Sequence, residues 1–316
     1  MFYNSTRLNQ KPILGSNEAA FLVTFNSLQI IFGSAANLLE IIFFLRRRHL
    51  HLSVSDKLTL NLAVADLVSL TTYLPWRTYL LHIRRATRDY QYYTSLFVFC
   101  IFNTGNAIVL MSVDRFVAII RPLRYHSLAT GKVVWFGVSL SWSIAFTLST
   151  GHYLSYKKVL LNIHADYEFF LSCLSIGHMF LMSIIYIVIL RAAKKQVKAV
   201  LLLQTNFLTP DSDSSNSLFI WNYRKSAYTT FSIVCLFYAT FLPYSVYRIV
   251  TTFDHTITKT SKRITWRWLM SFSFLNSCLN PFIYFISMKR FRSKLKHGLL
   301  NIYTKNVACK NETSHV

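Results

Sequence analysis

The chain has 316 residues, of which 53% are hydrophobic, 16% aromatic and only 15% charged, with a mean hydropathy of +0.35. That is more apolar material than a soluble core can hide, which excludes an ordinary soluble domain and points to an integral membrane protein. The formal net charge of +22 would suit a nucleic-acid binder, but in a chain that crosses a membrane repeatedly basic residues first report orientation, so nucleic acid is not an expected partner.

Residues 1–19 are polar and lack the apolar core of a secretory signal, so the first apolar segment is expected to act as a signal anchor. Asn4-Ser5-Thr6 is a glycosylation sequon at Asn4 and suits an extracellular N-terminus. Seven segments then reach the roughly 20 apolar residues needed to span hydrocarbon. They run from about Ala20 to Leu45, Leu58 to Leu81, Tyr92 to Ile120, Val133 to Leu154, Glu168 to Leu190, Ala227 to Val250 and Thr265 to Ile286. The expected fold is an all-α membrane protein, a seven-transmembrane helix bundle over residues 20–286, with residues 287–316 as a cytoplasmic tail. The longest gap, Arg191 to Ser226, begins basic and continues into Asp211-Ser212-Asp213-Ser214-Ser215, and reads as a mobile loop with phosphorylatable serines. With the N-terminus outside, 21 of the 34 Lys and Arg fall on the cytoplasmic side, which supports that orientation. The five cysteines, Cys100, Cys173, Cys235, Cys278 and Cys309, lie in spans or the tail; no disulfide and no metal site is expected, and Cys309 is a candidate for acylation.

Ionisable groups at membrane depth are functional hypotheses by default. Asp66, in the middle of the second segment, must be paired, hydrated or protonated. With Asn37, Asn276 and Asn280 as neighbours it can hold a small cation or a water cluster, or it is a hydrogen-bonded structural carboxylate. Asp114-Arg115-Phe116 closes the third segment, where an adjacent acid and base either form a solvated helix end or a pair that exchanges partners. The sixth segment carries Phe237, Phe241 and Pro243, and the proline predicts a kink beside an aromatic cluster. In the seventh, Asn280-Pro281-Phe282-Ile283-Tyr284 inserts a polar amide and a helix breaker into apolar sequence. Neighbouring helices or water must satisfy the groups this frees.

Gly33-Ser34-Ala35-Ala36-Asn37, Leu62-Ala63-Val64-Ala65-Asp66, Asp114-Arg115-Phe116, Trp142, Tyr186, Phe241-Leu242-Pro243 and Asn280-Pro281-Phe282-Ile283-Tyr284 stand in the order and spacing of rhodopsin-like G-protein-coupled receptors. The chain resembles that family from end to end. Lys289-Arg290-Phe291-Arg292 resembles the start of the family's short amphipathic eighth helix, lying on inner-leaflet lipids. The resemblance implies a plasma-membrane receptor, not an enzyme, whose partners are an extracellular ligand, a heterotrimeric G protein and arrestin. It implies that Arg115 releases Asp114 to meet the G protein, that Tyr186 and Tyr284 swing in to support it, and that the sixth helix pivots at Pro243. Asp66 with Asn280 would form a sodium and water site, the one cofactor expected. The chain departs from the family in Tyr90, which stands where a bridged cysteine is usual, and in the second extracellular loop, about Ser155 to Tyr167, which has none. His178 replaces a common proline and Phe241 a typical tryptophan, which bears on how activation runs, and Tyr223 replaces an acid that in some relatives restrains Arg115, which leaves room for a weakly restrained inactive state with high basal activity.

The ligand class is argued from the outer pocket. Phe97 occupies the position of the aspartate of amine receptors and Phe274 that of the retinal lysine of opsins, which argues against both ligands. Arg77, Arg248 and Arg267 are expected to converge above Phe97, Tyr244 and Tyr247, a setting for a carboxylate or phosphate on an apolar body, whether lipid, nucleotide or peptide. The alternative for these arginines is a rim that snorkels to lipid headgroups. The alternative function is a transporter or channel with Asp66 in an ion path. An enzyme is not expected, because no nucleophile, base and orienter come together in the spans.

Overall fold

The computed structural model of the chain describes residues 15–46, 52–83, 90–157, 163–206, 213–254 and 256–287. Asn4, the Lys289 to Arg292 stretch read as an eighth helix, Ser212 and Cys309 lie outside them. Among the described residues, seven helices are long and apolar enough to cross a membrane: α1 (Ser16–Leu45), α2 (Val54–Ile83), α3 (Tyr92–Ile120), α4 (Gly131–Tyr156), α5 (Ala165–Lys195), α6 (Tyr228–Phe253) and α7 (Thr260–Ser287). Large side chains such as Phe136 (70% exposed), Phe180 (68%) and Ile286 (68%) face outward, as lipid-facing residues do. The most apolar stretch of α3 is 72% buried and that of α4 only 17%, so α3 is the axis, packed on α2, α4, α5 and α6, and α4 is peripheral.

Local chemistry sets the helix starts. Ser53 and Asp56 cap α2 reciprocally, with Asp56 N–H donating to Ser53 Oγ and Ser53 N–H to Asp56 Oδ2, both at 3.2 Å. Thr130 caps α4 through Val133 N–H, and Thr258 opens the helical run into α7 through Ser261 N–H. The stretch expected as a loop between Arg191 and Ser226 is a correction: the α5 helix runs on to Asn206, and a helix starting at Asp213 leads into α6. Its first part is rich in Ala, Lys, Leu and Gln, strong helix formers, and its Asp and Ser residues fall at a helix start, where they are favoured.

Two helices widen by one residue, α1 at Gln29–Gly33 and α2 at Ser69–Tyr73. In α2 the hydroxyls of Ser69, Thr71 and Thr72 donate back to the carbonyls of Ala65, Leu67 and Val68 at 2.7–3.0 Å, loosening the ladder just before Pro75, which has no N–H to give. The wide turn rotates the outer part of α2, and Tyr73, Leu74 and Arg77 all become buried. At Gly33 a Cβ would lie 2.8 Å from Leu70 Cδ1 and 3.2 Å from the Cα of Cys278, so only glycine lets α1 approach α2 and α7 this closely.

Candidate functional site

The centre of the bundle is a polar cluster around Asp66, which has no solvent exposure. Its Oδ1 accepts from Ser277 Oγ at 2.6 Å and Thr104 Oγ1 at 3.2 Å, and its Oδ2 accepts from Asn280 Nδ2 at 2.7 Å. The carboxylate thus ties α2, α3 and α7. Asn37 binds from α1: its Nδ2 donates to the carbonyls of Gly33 (2.8 Å) and Ser277 (2.9 Å). Ser277 lies one turn before Pro281, so its carbonyl is the one that the proline leaves without a helical donor, and Asn37 supplies the missing hydrogen bond. The amide oxygens of Asn37, Asn276 and Asn280 are buried acceptors without a protein donor.

At the cytoplasmic end of α3, Arg115 donates Nε to Asp114 Oδ2 at 3.0 Å and a second guanidinium hydrogen to the same oxygen. The Tyr125 hydroxyl donates to Asp114 Oδ1 at 2.7 Å. Both charged side chains are largely buried, so this is not a solvated helix end. Tyr284 directs its hydroxyl at Met111 Sδ (3.3 Å), one turn before Arg115, and Tyr186 packs on Phe231 of α6. Above them an aromatic column runs along α6, with Phe237 against Phe241, Phe241 stacked on Tyr244, and Tyr244 edge-on to Phe97 of α3 at 5.0 Å. Pro243 lies in this stretch of α6 with its own side chain exposed, and Ser273 of α7 donates to the Thr240 carbonyl at 3.4 Å.

The outer half departs from the expected convergence of three arginines. Arg77 is 2% exposed and is clasped: it donates to Ser271 Oγ (3.0 and 3.2 Å), to the Arg267 carbonyl and to the Tyr93 hydroxyl, joining α2, α3 and α7. The wide turn at Ser69–Tyr73 aims it there rather than into a cavity. Arg267 lines neither of the two outer cavities. Arg248 lines both, already paired with Glu168 of α5. The inner cavity, of 40 Å³, is bounded by Phe97, Phe241, Tyr244 and Trp266, and the outer one, of 340 Å³, by Tyr247, Lys262, Arg263 and Trp266.

Comparison with known proteins matches residues 36–284 to the seven-transmembrane receptor (rhodopsin family) model. The chain belongs to the rhodopsin family of seven-transmembrane receptors. It is 25% identical to the human alpha-1A adrenergic receptor over 90% of this chain and 68% of that one. The canine adenosine receptor A3 is 24% identical over 71% of this chain and 73% of the relative. A D(1A) dopamine receptor of Xenopus laevis is 27% identical over 52% of this chain and 36% of the relative. As a member of this receptor family it is a multi-pass protein of the plasma membrane, it is not an enzyme, and it partners with G proteins.

Several residues of this receptor's polar interior carry no distinguishing mark in the sequence. Thr104 and Ser277, which donate to Asp66, look like any small hydroxyl residue in an apolar run. Glu40 of α1 is 2% exposed, one turn below Asn37 on the same face, with Oε1 unpartnered and within electrostatic reach of Asp66 and Tyr284. It was visible as a carboxylate inside an apolar segment, the signal that singled out Asp66. Glu168 also stood in the sequence, but only the approach of α5 to α6 gives it Arg248.

Proposed function

We propose that this receptor, with its N-terminus outside the cell, binds an extracellular ligand in the outer cavities and in response promotes nucleotide exchange on a heterotrimeric G protein, with arrestin as a further cytoplasmic partner. The observation that carries the reading is the continuous internal column. Aromatic contacts link Phe97 at the inner cavity through Tyr244 to Phe241, the residues that flank Pro243 in α6, and the Asp66 cluster lies between that level and Tyr284 and Arg115. A ligand that favours one arrangement of α6 shifts the population of the whole bundle. Opening requires Arg115 to leave Asp114 and Tyr284 to leave Met111, and a cytoplasmic partner offsets the cost of parting the largely buried Arg115 to Asp114 pair. Phe97 offers no carboxylate on α3, so a ligand ammonium held from that position is not proposed. Arg248, Lys262 and Arg263 favour a ligand with an anionic group instead.

Asp66 suits a sodium ion. It supplies the charge, the hydroxyl oxygens of Thr104 and Ser277 are at hand, and Asn276 and Asn280 offer buried acceptor oxygens that no protein group satisfies. A bound ion would neutralise the carboxylate and hold α2, α3 and α7 together.

The test is nucleotide exchange on added G proteins by the full chain in lipid nanodiscs. Wild type is expected to accelerate exchange, and Arg115→Ala to lower the rate about tenfold or more, the loss of one charge-assisted contact. Ion flux through reconstituted vesicles without any nucleotide exchange would overturn the receptor reading in favour of a transporter.

A further inference from the structure

Glu168 and Arg248 form the partition between the two outer cavities, since both residues, with Trp266, line each of them. At 40 Å³ the inner cavity holds a few water molecules at most, so no ligand body enters while the pair is closed. The outer cavity carries Arg248, Lys262 and Arg263, and Glu168 is the one carboxylate among its lining residues. The Tyr247 hydroxyl in its wall is shielded from solvent without a protein partner.

Glu168 is also the third member of a relay. Ser95 Oγ of α3 lies 2.9 Å from His152 Nδ1 of α4, His152 Nε2 lies 3.5 Å from Glu168 Oε1 of α5, and Glu168 pairs with Arg248 of α6. The partition therefore joins four helices on the side where Tyr90 stands in place of a bridging cysteine.

Electrostatics restricts what can open it. An anion drawn in by Lys262 and Arg263 finds Arg248 already neutralised, and displacing Glu168 would take its strongest partner from a half-buried carboxylate and leave it beside His152. A cation is repelled by the same basic rim and would strand Arg248. A molecule bearing both charges close together exchanges one ion pair for two and strands neither. We infer that this site takes a small zwitterion with an α-amino-acid type head group, its carboxylate on Arg248, its ammonium on Glu168 and its apolar body against Phe97, Tyr244 and Trp266. Insertion breaks the Glu168 to Arg248 link five residues from Pro243, which delivers the binding energy to α6. This assignment rests on the receptor function proposed for the chain and names the ligand class for it.

Three probes share one aromatic body: L-phenylalanine carries both charges, 3-phenylpropanoate the anion alone and 2-phenylethylamine the cation alone. At about 10 mM, L-phenylalanine is expected to raise the Tm of the full chain in nanodiscs by about 2 °C and the other two by at most about half of that. In Glu168→Gln, 3-phenylpropanoate should match or exceed L-phenylalanine, and in Arg248→Gln, 2-phenylethylamine should. A charge-swapped Glu168→Arg, Arg248→Glu double variant keeps the pair while losing the His152 contact, so it should melt below wild type but above either single variant, separating lost recognition from lost folding. Equal response of wild type to 3-phenylpropanoate alone, no response to any probe, or single variants that keep the wild-type ranking would overturn the zwitterion assignment. Nucleotide exchange in the same nanodiscs separates the two readings: exchange without zwitterion preference defeats this inference alone, and ion flux without any exchange defeats the receptor reading.

Discussion

At the residue scale, the cost of a polar group in lipid is decided by whether it finds a partner, and Asn37 and Glu40 illustrate the two outcomes. Asn37 gives both its hydrogens to carbonyls, one of them orphaned by Pro281. Asn37→Ala should lower stability by about 1–3 kcal/mol, the usual cost of leaving a buried acceptor unsatisfied. Thermal unfolding of the purified receptor measures this, and melting indistinguishable from wild type would show that the carbonyl needs no donor. Glu40 is buried with an unpartnered oxygen, so its carboxylate costs more than it returns. Glu40→Val should be neutral or stabilising by about 1 kcal/mol, as when buried charges give way to apolar side chains of similar shape. A destabilised Glu40→Val variant would mean that the carboxylate holds a cation or donor essential to the fold.

At the element scale, each irregularity sits where a neighbour repairs it. The wide turn of α2 absorbs Pro75, and the carbonyl that Pro281 orphans in α7 is satisfied across the interface by α1. Pro281→Ala restores the N–H one turn after Ser277, so the helix itself can satisfy that carbonyl. In the Pro281→Ala background the penalty of Asn37→Ala should therefore shrink by about 1 kcal/mol, a coupling read from a double-mutant cycle. Strict additivity of the two substitutions would separate the proline from the asparagine. The kink residues were legible in the sequence because proline leaves a local signature. The wide turns were not, because Ser69, Thr71 and Thr72 are compatible with a regular helix until α3 and α7 pack against it.

At the scale of the whole molecule, Arg77 and the Glu168 relay hold together an outer half whose second loop has no cysteine. Arg77 joins three helices through neutral partners, and Arg77→Ala would leave Ser271 Oγ and the Arg267 carbonyl short of these donors. The expected loss is about 2–4 kcal/mol, with Arg77→Lys recovering only part because an ammonium lacks the planar fork. Hydrogen exchange at the outer ends of α2 and α7 should rise in both variants. Unchanged protection in Arg77→Ala would show that the outer half is held elsewhere.

The sequence alone determined the membrane class and the seven spans, and it marked Asp66, Asp114, Arg115, Pro243, Asn280 and Tyr284 as candidate switch residues. Hydropathy, proline and buried charge are local properties that survive without knowledge of neighbours. Only the tertiary structure decided which polar groups meet. Arg77 looked like a ligand-facing guanidinium and is committed to α7. Arg248 reads in the sequence as a ligand-facing guanidinium and is paired with Glu168. Thr104 and Ser277 were unremarked and reach Asp66. Partnership between distant helices depends on rotation by fractions of a turn, set by the wide turns and the close approach at Gly33, and no single segment encodes that rotation.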